Sequence, residues 1–467
     1  MKALLTHGYF LSEDAAEQKI MMPYPPQGLM HLQAYLTQRG FPSEIFDSTF
    51  SSFDDLTAFL LEHHPARLGI YCNLLTRINI MKIIRFTRNE ESLKNTVIIL
   101  GGPDVRHHAG NYLQGGADLC VMGEGEETLY ELLNALESGV SDFSSVSGIV
   151  YKGINGDVIS NPERPFIKNL DDIPFPDFNT VPVQTYFDTW KRKHGFTSVT
   201  VSTMRGCPYS CKWCSKAVYG NSYRRRSPEK VVLELARLRD KYTPDRYWFV
   251  DDVFTISKTW LQEFQLLLRE HKVKISYECI TRADKMDEEI IELLKDSGCY
   301  RVWIGAESGS QKVLDLMDRR VNAGYVREMI RMSKKDGIET GTFLMLGYPG
   351  ETIADIDESL NHLMQANPDL FTLTIAYPIK GTAFYEDISK TLKVPSSLNW
   401  GEYSDRDLDF KRTYSRGFYR HAIRYLHHSM SAFNHGKRIN PFSIHHLKNL
   451  AIARISRIIM TFYSQTT

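Results

Sequence analysis

Short apolar runs alternate with amphipathic stretches along most of the chain, in two blocks. The first block contains "KALLT", "SEIFD", "LGIYC", "TVIILGG" and "ADLCVMG". Such short, bounded runs are what strands buried on both faces look like. Stretches such as "PQGLMHLQAYLTQRG" and "EETLYELLNALESG" fall between or after them, with apolar residues at helical spacing. Five strand–helix units predict a doubly wound, flavodoxin-like α/β domain over residues 1–145, with ligands at the carboxyl ends of its strands.

Residues 146–195 break the alternation. "GIVYKGINGDVIS" predicts a hairpin turning at Asn155-Gly156. The prolines of "DDIPFPDFNTVP" exclude a regular helix, and the stretch reads as a connector. Alternation resumes over residues 196–392 with "SVTVSTM", "RYWFV", "KISYECI", "YRVWIG", "TGTFLML" and "LFTLTIAY". Ser227-Pro228 marks a helix start, an N-cap followed by proline. Six such units predict a partial, TIM-like (β/α)6 barrel, whose chemistry sits on the loops after its strands. Those loops carry Asp251-Asp252, Arg282, Asp284, Glu307-Ser308-Gly309, "GYPGET", Tyr377 and Lys380.

Residues 393–467 predict a basic helical extension. From Lys411 to Thr467 there are ten Lys or Arg and no Asp or Glu. The rest of this formally neutral chain therefore has 46 basic against 56 acidic residues. Leu447, Ala451, Ile455, Ile458 and Phe462 recur at helical spacing. That stripe suits a helix capping the barrel, or a basic amphipathic surface that meets anionic lipid or an anionic substrate. The six histidines of this segment form no metal-binding pattern. No nucleic-acid recognition motif accompanies the charge, so no nucleic-acid partner is expected.

No apolar run approaches the roughly 20 residues of a membrane span. "MKALLTHGYF" is too short in apolar content for a signal peptide. A cytoplasmic protein with reduced thiols is the expectation. Three of its seven cysteines cluster as Cys207-x3-Cys211-x2-Cys214 in "MRGCPYSCKWCS". A structural zinc site wants four ligands; His194 lies upstream as one candidate, but no second knuckle follows. A [4Fe–4S] cluster normally takes one thiolate per iron, so three thiols leave one iron open.

That spacing, with Trp213 just before the last cysteine, resembles the signature of the radical SAM superfamily. The resemblance implies a [4Fe–4S] cluster held by Cys207, Cys211 and Cys214. Its open iron is chelated by S-adenosylmethionine, which is cleaved to a 5′-deoxyadenosyl radical. Trp213 then occupies the adenine-facing position. Asp251 or Asp252 stands where the family's Gly-Gly-Glu usually binds the methionine ammonium. Arg282 is a candidate for the methionine carboxylate, and Glu307 and Ser308 for the ribose or the amino-acid end. Members also use a reducing partner such as flavodoxin or ferredoxin and act on small molecules.

"PYPPQGLMHLQAYLTQRG" and "GADLCVMGEGEETLYELL" resemble the cobalamin-binding domain fused to many of these enzymes. Cys72-Asn73-Leu74 precedes Gly101-Gly102 by 26 residues, where such domains show Ser-x-Leu and Gly-Gly. The Asp-x-His-x-x-G loop is missing, so cobalamin would have no protein imidazole on cobalt; His7 reads as a polar loop residue. Asp104, Arg106, His107 and His108 read as a solvated loop. Cys72, Cys120, Cys279 and Cys299 are too few and too scattered for a second cluster. "GYPGET" and "TIAYPIKGTAFY" resemble the subgroup holding the anaerobic Mg-protoporphyrin ester cyclase and a phosphinate methylase. Methyl transfer is the expected activity, radical cyclisation or oxidation the alternative, and a non-catalytic metal-binding module the third possibility.

Overall fold

The apolar runs of the first block form β1 (Leu4–His7), β2 (Glu44–Phe46), β3 (Arg67–Tyr71), β4 (Val97–Gly101) and β5 (Leu119–Val121) in the computed structural model. The structure describes residues 3–395, 397–438 and 443–465. The five strands are parallel, in the order β2-β1-β3-β4-β5. This is the doubly wound order with its switch point between β1 and β3. Alternate residues enter opposite cores, as the pleat requires. Leu4, Ile98 and Leu100 pack with Ile83 and Tyr112 on one face. Leu5 and Ile99 pack with Leu29, Leu36 and Leu132 on the other.

The hairpin turns at Gly156, φ +82°. Its strands β6 (Ile149–Lys152) and β7 (Val158–Ser160) run antiparallel and extend the first sheet from β5. The proline-rich stretch makes only two 3-10 turns, Leu170–Asp172 and Phe178–Thr180. A helix the pattern did not reveal, Val183–His194, follows Pro182.

All six strand candidates of the second block are strands. They are β8 (Ser198–Val201), β11 (Arg246–Phe249), β12 (Tyr277–Thr281), β13 (Cys299–Glu307), β14 (Glu339–Leu346) and β15 (Leu370–Ile375). Their sheet follows the chain, in the order β8-β11-β12-β13-β14-β15. Between β8 and β11 lies a short antiparallel ribbon, β9 (Met204–Arg205) with β10 (Arg224–Arg225). The chain forms two compact units. One is Met1–Pro208 with Ser215–Trp248 and Pro395–Asp407; the other is Tyr209–Cys214 with Phe249–Val394 and Leu408–Thr467.

The basic segment forms the helices Arg416–Arg438 and Ile444–Gln465. Phe418, Tyr419, Ala422 and Leu426 of the first pack against Leu344, Leu346, Ile356 and Leu363. The second helix overturns the capping reading of the apolar stripe. Its buried residues are Asn449, Ala453, Ser456 and Met460, while Leu447, Ala451, Ile455, Ile458 and Phe462 are exposed. Small side chains bring this helix close to its neighbour, where Asn449 bonds His428 at 2.7 Å, and the bulky ones face outward.

Gly102 carries the sharpest local constraint of the first sheet. Its φ is +110°, and an added Cβ would collide with the Cys72 carbonyl oxygen and lie 3.0 Å from a Tyr71 ring carbon. Gly102→Ala is expected to destabilise by about 2 kcal/mol or more. Gly28→Ala, where a Cβ meets nothing within 4 Å, is expected to be neutral or stabilising. Denaturant melts of the two variants check the contrast.

Candidate cofactor site

The cysteine loop is gripped at its base and along its length by different residues. In the first unit, β9 and β10 bracket it, pairing Arg205 with Arg224 and Met204 with Arg225. Gly206, φ +83°, follows β9, and a Cβ there would collide with the Ser222 carbonyl. The ribbon is charged, and the charge is paired. Arg205 donates to Glu124 at 2.8 Å and also to Glu126. Arg224 donates to both Glu124 carboxylate oxygens, at 3.0 and 2.8 Å, and to the Ile167 carbonyl at 2.7 Å. Glu124 and Glu126 are buried in the "GEGE" stretch that leaves β5 and opens the helix Glu126–Glu137. Burial works against the Glu126 carboxylate, but Arg205 outweighs it and holds its pKa below the usual value.

In the second unit, backbone bonds fix the middle of the loop. Lys212 N–H donates to the Met317 carbonyl at 3.1 Å, and its own carbonyl accepts from Phe384 N–H at 2.9 Å. Trp213 is half-buried against a cluster including Val313, Tyr348 and Phe384. Cys211 is buried and accepts from two guanidiniums, Arg282 Nη1 at 3.4 Å and Arg319 Nη1 at 3.5 Å. Both arginines are buried too. Arg282 also donates from Nε to Asp284 at 2.8 Å and from Nη2 to the Arg319 carbonyl at 2.8 Å, and it stacks on Tyr209 at 3.9 Å.

Glu307 ends β13 at a register shift, with φ +64°, rare for a non-glycine residue. Arg319 lies 3.7 Å from its carboxylate and donates to the Gly305 carbonyl at 3.0 Å. Burial raises the Glu307 pKa, with Arg319 and Arg282 opposing. Ser308 is buried and shares a hydrogen bond with Ser359 at 3.3 Å, so its hydroxyl braces the turn. Asp251 is buried after β11, while Asp252 is exposed. The second unit thus brings Cys211, Trp213, Arg282 and Glu307 around Arg319, a residue the sequence reading missed.

In the first unit, the residues after β3 and β4 do meet. Cys72 N–H donates to the Gly101 carbonyl at 2.7 Å, and Gly102 gives room to the Cys72 backbone. A Cβ on Gly101 would meet nothing nearer than Val121 at 3.9 Å. Cys72 is fully buried, and burial raises its thiol pKa; the cysteine in the serine position is a core residue. Leu74 is half-buried. His7 is a buried network residue, not a solvated one. Its ring bonds Asp47 at 3.0 Å through Nε2 and Ser48 at 2.9 Å through Nδ1. His194 Nε2 bonds the Met21 carbonyl at 3.0 Å. The segment after β4 is neither a loop nor solvated: Arg106, His107 and His108 lie in the helix Val105–Gln114, which Asp104 precedes, and Asp104 and His108 are buried. Arg77 binds Asp104 at 2.8 Å and Asp405 at 2.9 Å, and Trp400 stacks near Arg77, His108 and Tyr112.

None of the seven cysteines is in a disulfide. Cys120, Cys279 and Cys299 are buried like Cys72, as expected of core thiols. Among the described residues, no three His, Cys, Asp or Glu side chains gather as a site for one metal ion. In an iron–sulfur cluster each thiolate takes a different iron, so the fit is tested by donor chemistry. Three thiols on one loop, one of them facing two guanidiniums, suit thiolate ligation. Gly101, beside the Cys72–Leu74 loop, has no side chain to obstruct a bulky ligand at the strand ends.

Comparison with known proteins agrees in extent. Residues 201–363 match the Radical SAM superfamily, and residues 18–133 match the B12 binding domain. An uncharacterized methyltransferase of Pyrococcus horikoshii is 27% identical over 402 residues, covering 85% of each chain. The anaerobic magnesium-protoporphyrin IX monomethyl ester cyclase of Rubrivivax gelatinosus is 25% identical over 436 residues, covering 87% of this chain and 76% of that one. The fold is that of the radical S-adenosylmethionine methyltransferase TsrM from Kitasatospora setae, solved with cobalamin and a [4Fe–4S] cluster bound. The TM-score is 0.71 at 17% identity, over 99% of this chain and 100% of that one.

Two predictions follow from the charges. Replacing Glu124 and Glu126 together by Gln leaves the half-buried Arg205 and Arg224 without counter-charge, a cost of at most about 3–5 kcal/mol. Hydrogen exchange is expected to accelerate over residues 206–208 and 215–223 more than elsewhere in that unit. Glu351, in "GYPGET" after β14, is buried and accepts from Gly347 N–H at 2.6 Å. Burial pushes its pKa up to about 8 from 4.5. Between those values the folded state keeps a proton the unfolded chain has lost, so stability falls as pH rises through that window. Glu351→Gln removes this loss, on the order of 5 kcal/mol at most. The variant is expected to melt higher than the parent at alkaline pH and alike near pH 4–5; thermal melts across that range check it.

Proposed function

The chain belongs to the radical SAM enzymes that carry a B12 binding domain, and from that premise we propose that it is a cobalamin-dependent methyltransferase acting on an unactivated carbon or phosphorus of a small molecule. The observation that carries the reading is the buried Cys211 thiol facing the Arg282 and Arg319 guanidiniums, on a loop with only two further thiols. When bound, the [4Fe–4S] cluster, S-adenosylmethionine and cobalamin supply the radical and the methyl group, while the protein supplies binding and orientation.

Cys207, Cys211 and Cys214 would hold the cluster. Arg282 and Arg319 hold the Cys211 sulfur by hydrogen bonds and would place positive charge beside the cluster. Because Arg282 already donates from three nitrogens, its role here is to hold the loop, leaving the methionine carboxylate to other groups. Asp251, buried where Asp252 is exposed, is the better partner for the methionine ammonium, since a buried carboxylate is less screened. Trp213 lines the adenine side, and Glu307, set by its left-handed backbone, reaches the ribose or amino-acid end with Ser308 bracing the turn. Cys72, Leu74, Gly101 and Gly102 shape the strand ends that take the cobalamin tail. The domain scheme is 1–145 for cobalamin, with the 146–195 hairpin and connector, 196–392 for radical chemistry, and 393–467 as the basic extension. A small flavin or iron–sulfur protein would deliver the electron, and the basic segment adds an anion-facing surface.

A second reading, radical ring formation or oxidation, is favoured by the relation to the Rubrivivax gelatinosus cyclase. One experiment separates them. Anaerobically reconstituted protein is expected to hold about four irons and one corrinoid. With dithionite and methyl-labelled S-adenosylmethionine it should form 5′-deoxyadenosine and retain label on the corrinoid. Cys211→Ala should lose the iron and the 5′-deoxyadenosine. Deoxyadenosine with unlabelled corrinoid would move the assignment to the cyclase reading; neither product would leave a non-catalytic metal-binding module.

A further inference from the structure

The last helix exposes the largest apolar feature that the cofactor site does not use. Ile444, Leu447, Ile455, Ile458 and Phe462 leave 86, 52, 56, 58 and 68% of their surfaces in solvent. With Ala451 they recur every three or four residues, so they share one side of a 22-residue helix. The outward setting is held in place from the other side. Asn449 bonds His428 at 2.7 Å, His446 bonds the Ala432 carbonyl at 2.9 Å, and Arg457 bonds Asp357 at 2.6 Å.

The charge around the stripe has one sign. Lys448 and Arg454 are exposed on the same helix, and the preceding helix exposes Arg416, Arg420 and Arg424 at four-residue spacing. The sequence has no acidic residue from Lys411 to Thr467. A second copy docked on this face would bring these cations against their own counterparts, which opposes self-association. A surface that is apolar in depth and anionic at its edge matches both features. We propose that this helix lies on an anionic lipid surface, its apolar stripe in the acyl boundary and its basic residues among the headgroups. No described helix is long and apolar enough to cross a membrane, so the contact is interfacial. The inference does not depend on the cobalamin reading.

The test is co-sedimentation of the full chain with vesicles. Phosphatidylcholine–phosphatidylglycerol vesicles are expected to bind at least ~10-fold more protein than phosphatidylcholine alone, with the difference suppressed by high salt. Ile455→Asp with Ile458→Asp is expected to lose at least ~10-fold of that binding, with unchanged circular dichroism. If that pair disturbs folding, Lys448→Glu with Arg454→Glu, both at exposed positions, is expected to abolish the preference for anionic vesicles. Equal binding to both vesicles, or variants that bind like the parent, would overturn the proposal. So would a parent that elutes as a dimer and an Ile455/Ile458 variant that elutes as a monomer, since that assigns the face to a second copy.

Discussion

The pairing of Glu124 and Glu126 with Arg205 and Arg224 is the constraint on which the cysteine loop depends. A loop that presents three thiols has no ladder or helix of its own to hold it. Its base is instead closed by a ribbon only two residues long on each side, too short to persist by its own hydrogen bonds. Two buried carboxylates paired with two half-buried guanidiniums make the closure firm. Removing either sign strands the other in a low-dielectric setting, so the network tolerates no partial loss. The carboxylates come from the turn after β5 and the first residue of the helix it leads into, at the strand ends that the doubly wound order gathers on the ligand side of the sheet.

The second unit uses charge differently. Arg282 and Arg319 each spend their guanidinium on several acceptors at once: a thiol, a backbone carbonyl and a carboxylate. A planar donor with fixed directions is suited to this, and a lysine would not span the same set. Burial opposes the charge on Arg319, but Glu307 and Cys211 outweigh it. The left-handed backbone at Glu307 follows from the same geometry. The register shift in β13 turns its carboxylate toward Arg319, and Gly305 has no side chain to block the approach. Strain is kept where the surrounding contacts over-determine it.

Much of this was legible in the sequence, for identifiable reasons. The strands were readable because buried parallel strands are near-continuous apolar runs, and the cysteine loop because its spacing is unusual. The partners of the loop were not readable. Arg319 lies 108 residues from Cys211, and Arg205 lies 79 and 81 residues from its two glutamates. Each is a single charged residue whose meaning arises only from the fold. The "GEGE" pair after β5 and the arginines flanking the cysteines were the available signals, and both also read as ordinary surface charge. The segment after β4, a helix from Val105, was misread as a loop for a related reason. Polar residues there imply solvent, yet Asp104 and His108 are buried by Trp400 and Asp405 from a segment that follows the last strand.

The last helix shows where pattern reading reaches its limit in principle. Periodicity identifies a helix with an apolar face, but it assigns that face to the core only if the opposite face is unfit for burial. Here the opposite face carries Ala453, Ser456 and Asn449, small or hydrogen-bonded residues that allow close approach to a neighbouring helix. Burying bulky residues is favourable in proportion to area, so leaving five of them outside is a cost to the isolated protein. Each of the five keeps more than half of its surface in solvent. That cost is recovered only if another apolar phase covers the stripe, and the uniform positive charge around it restricts which phase that is.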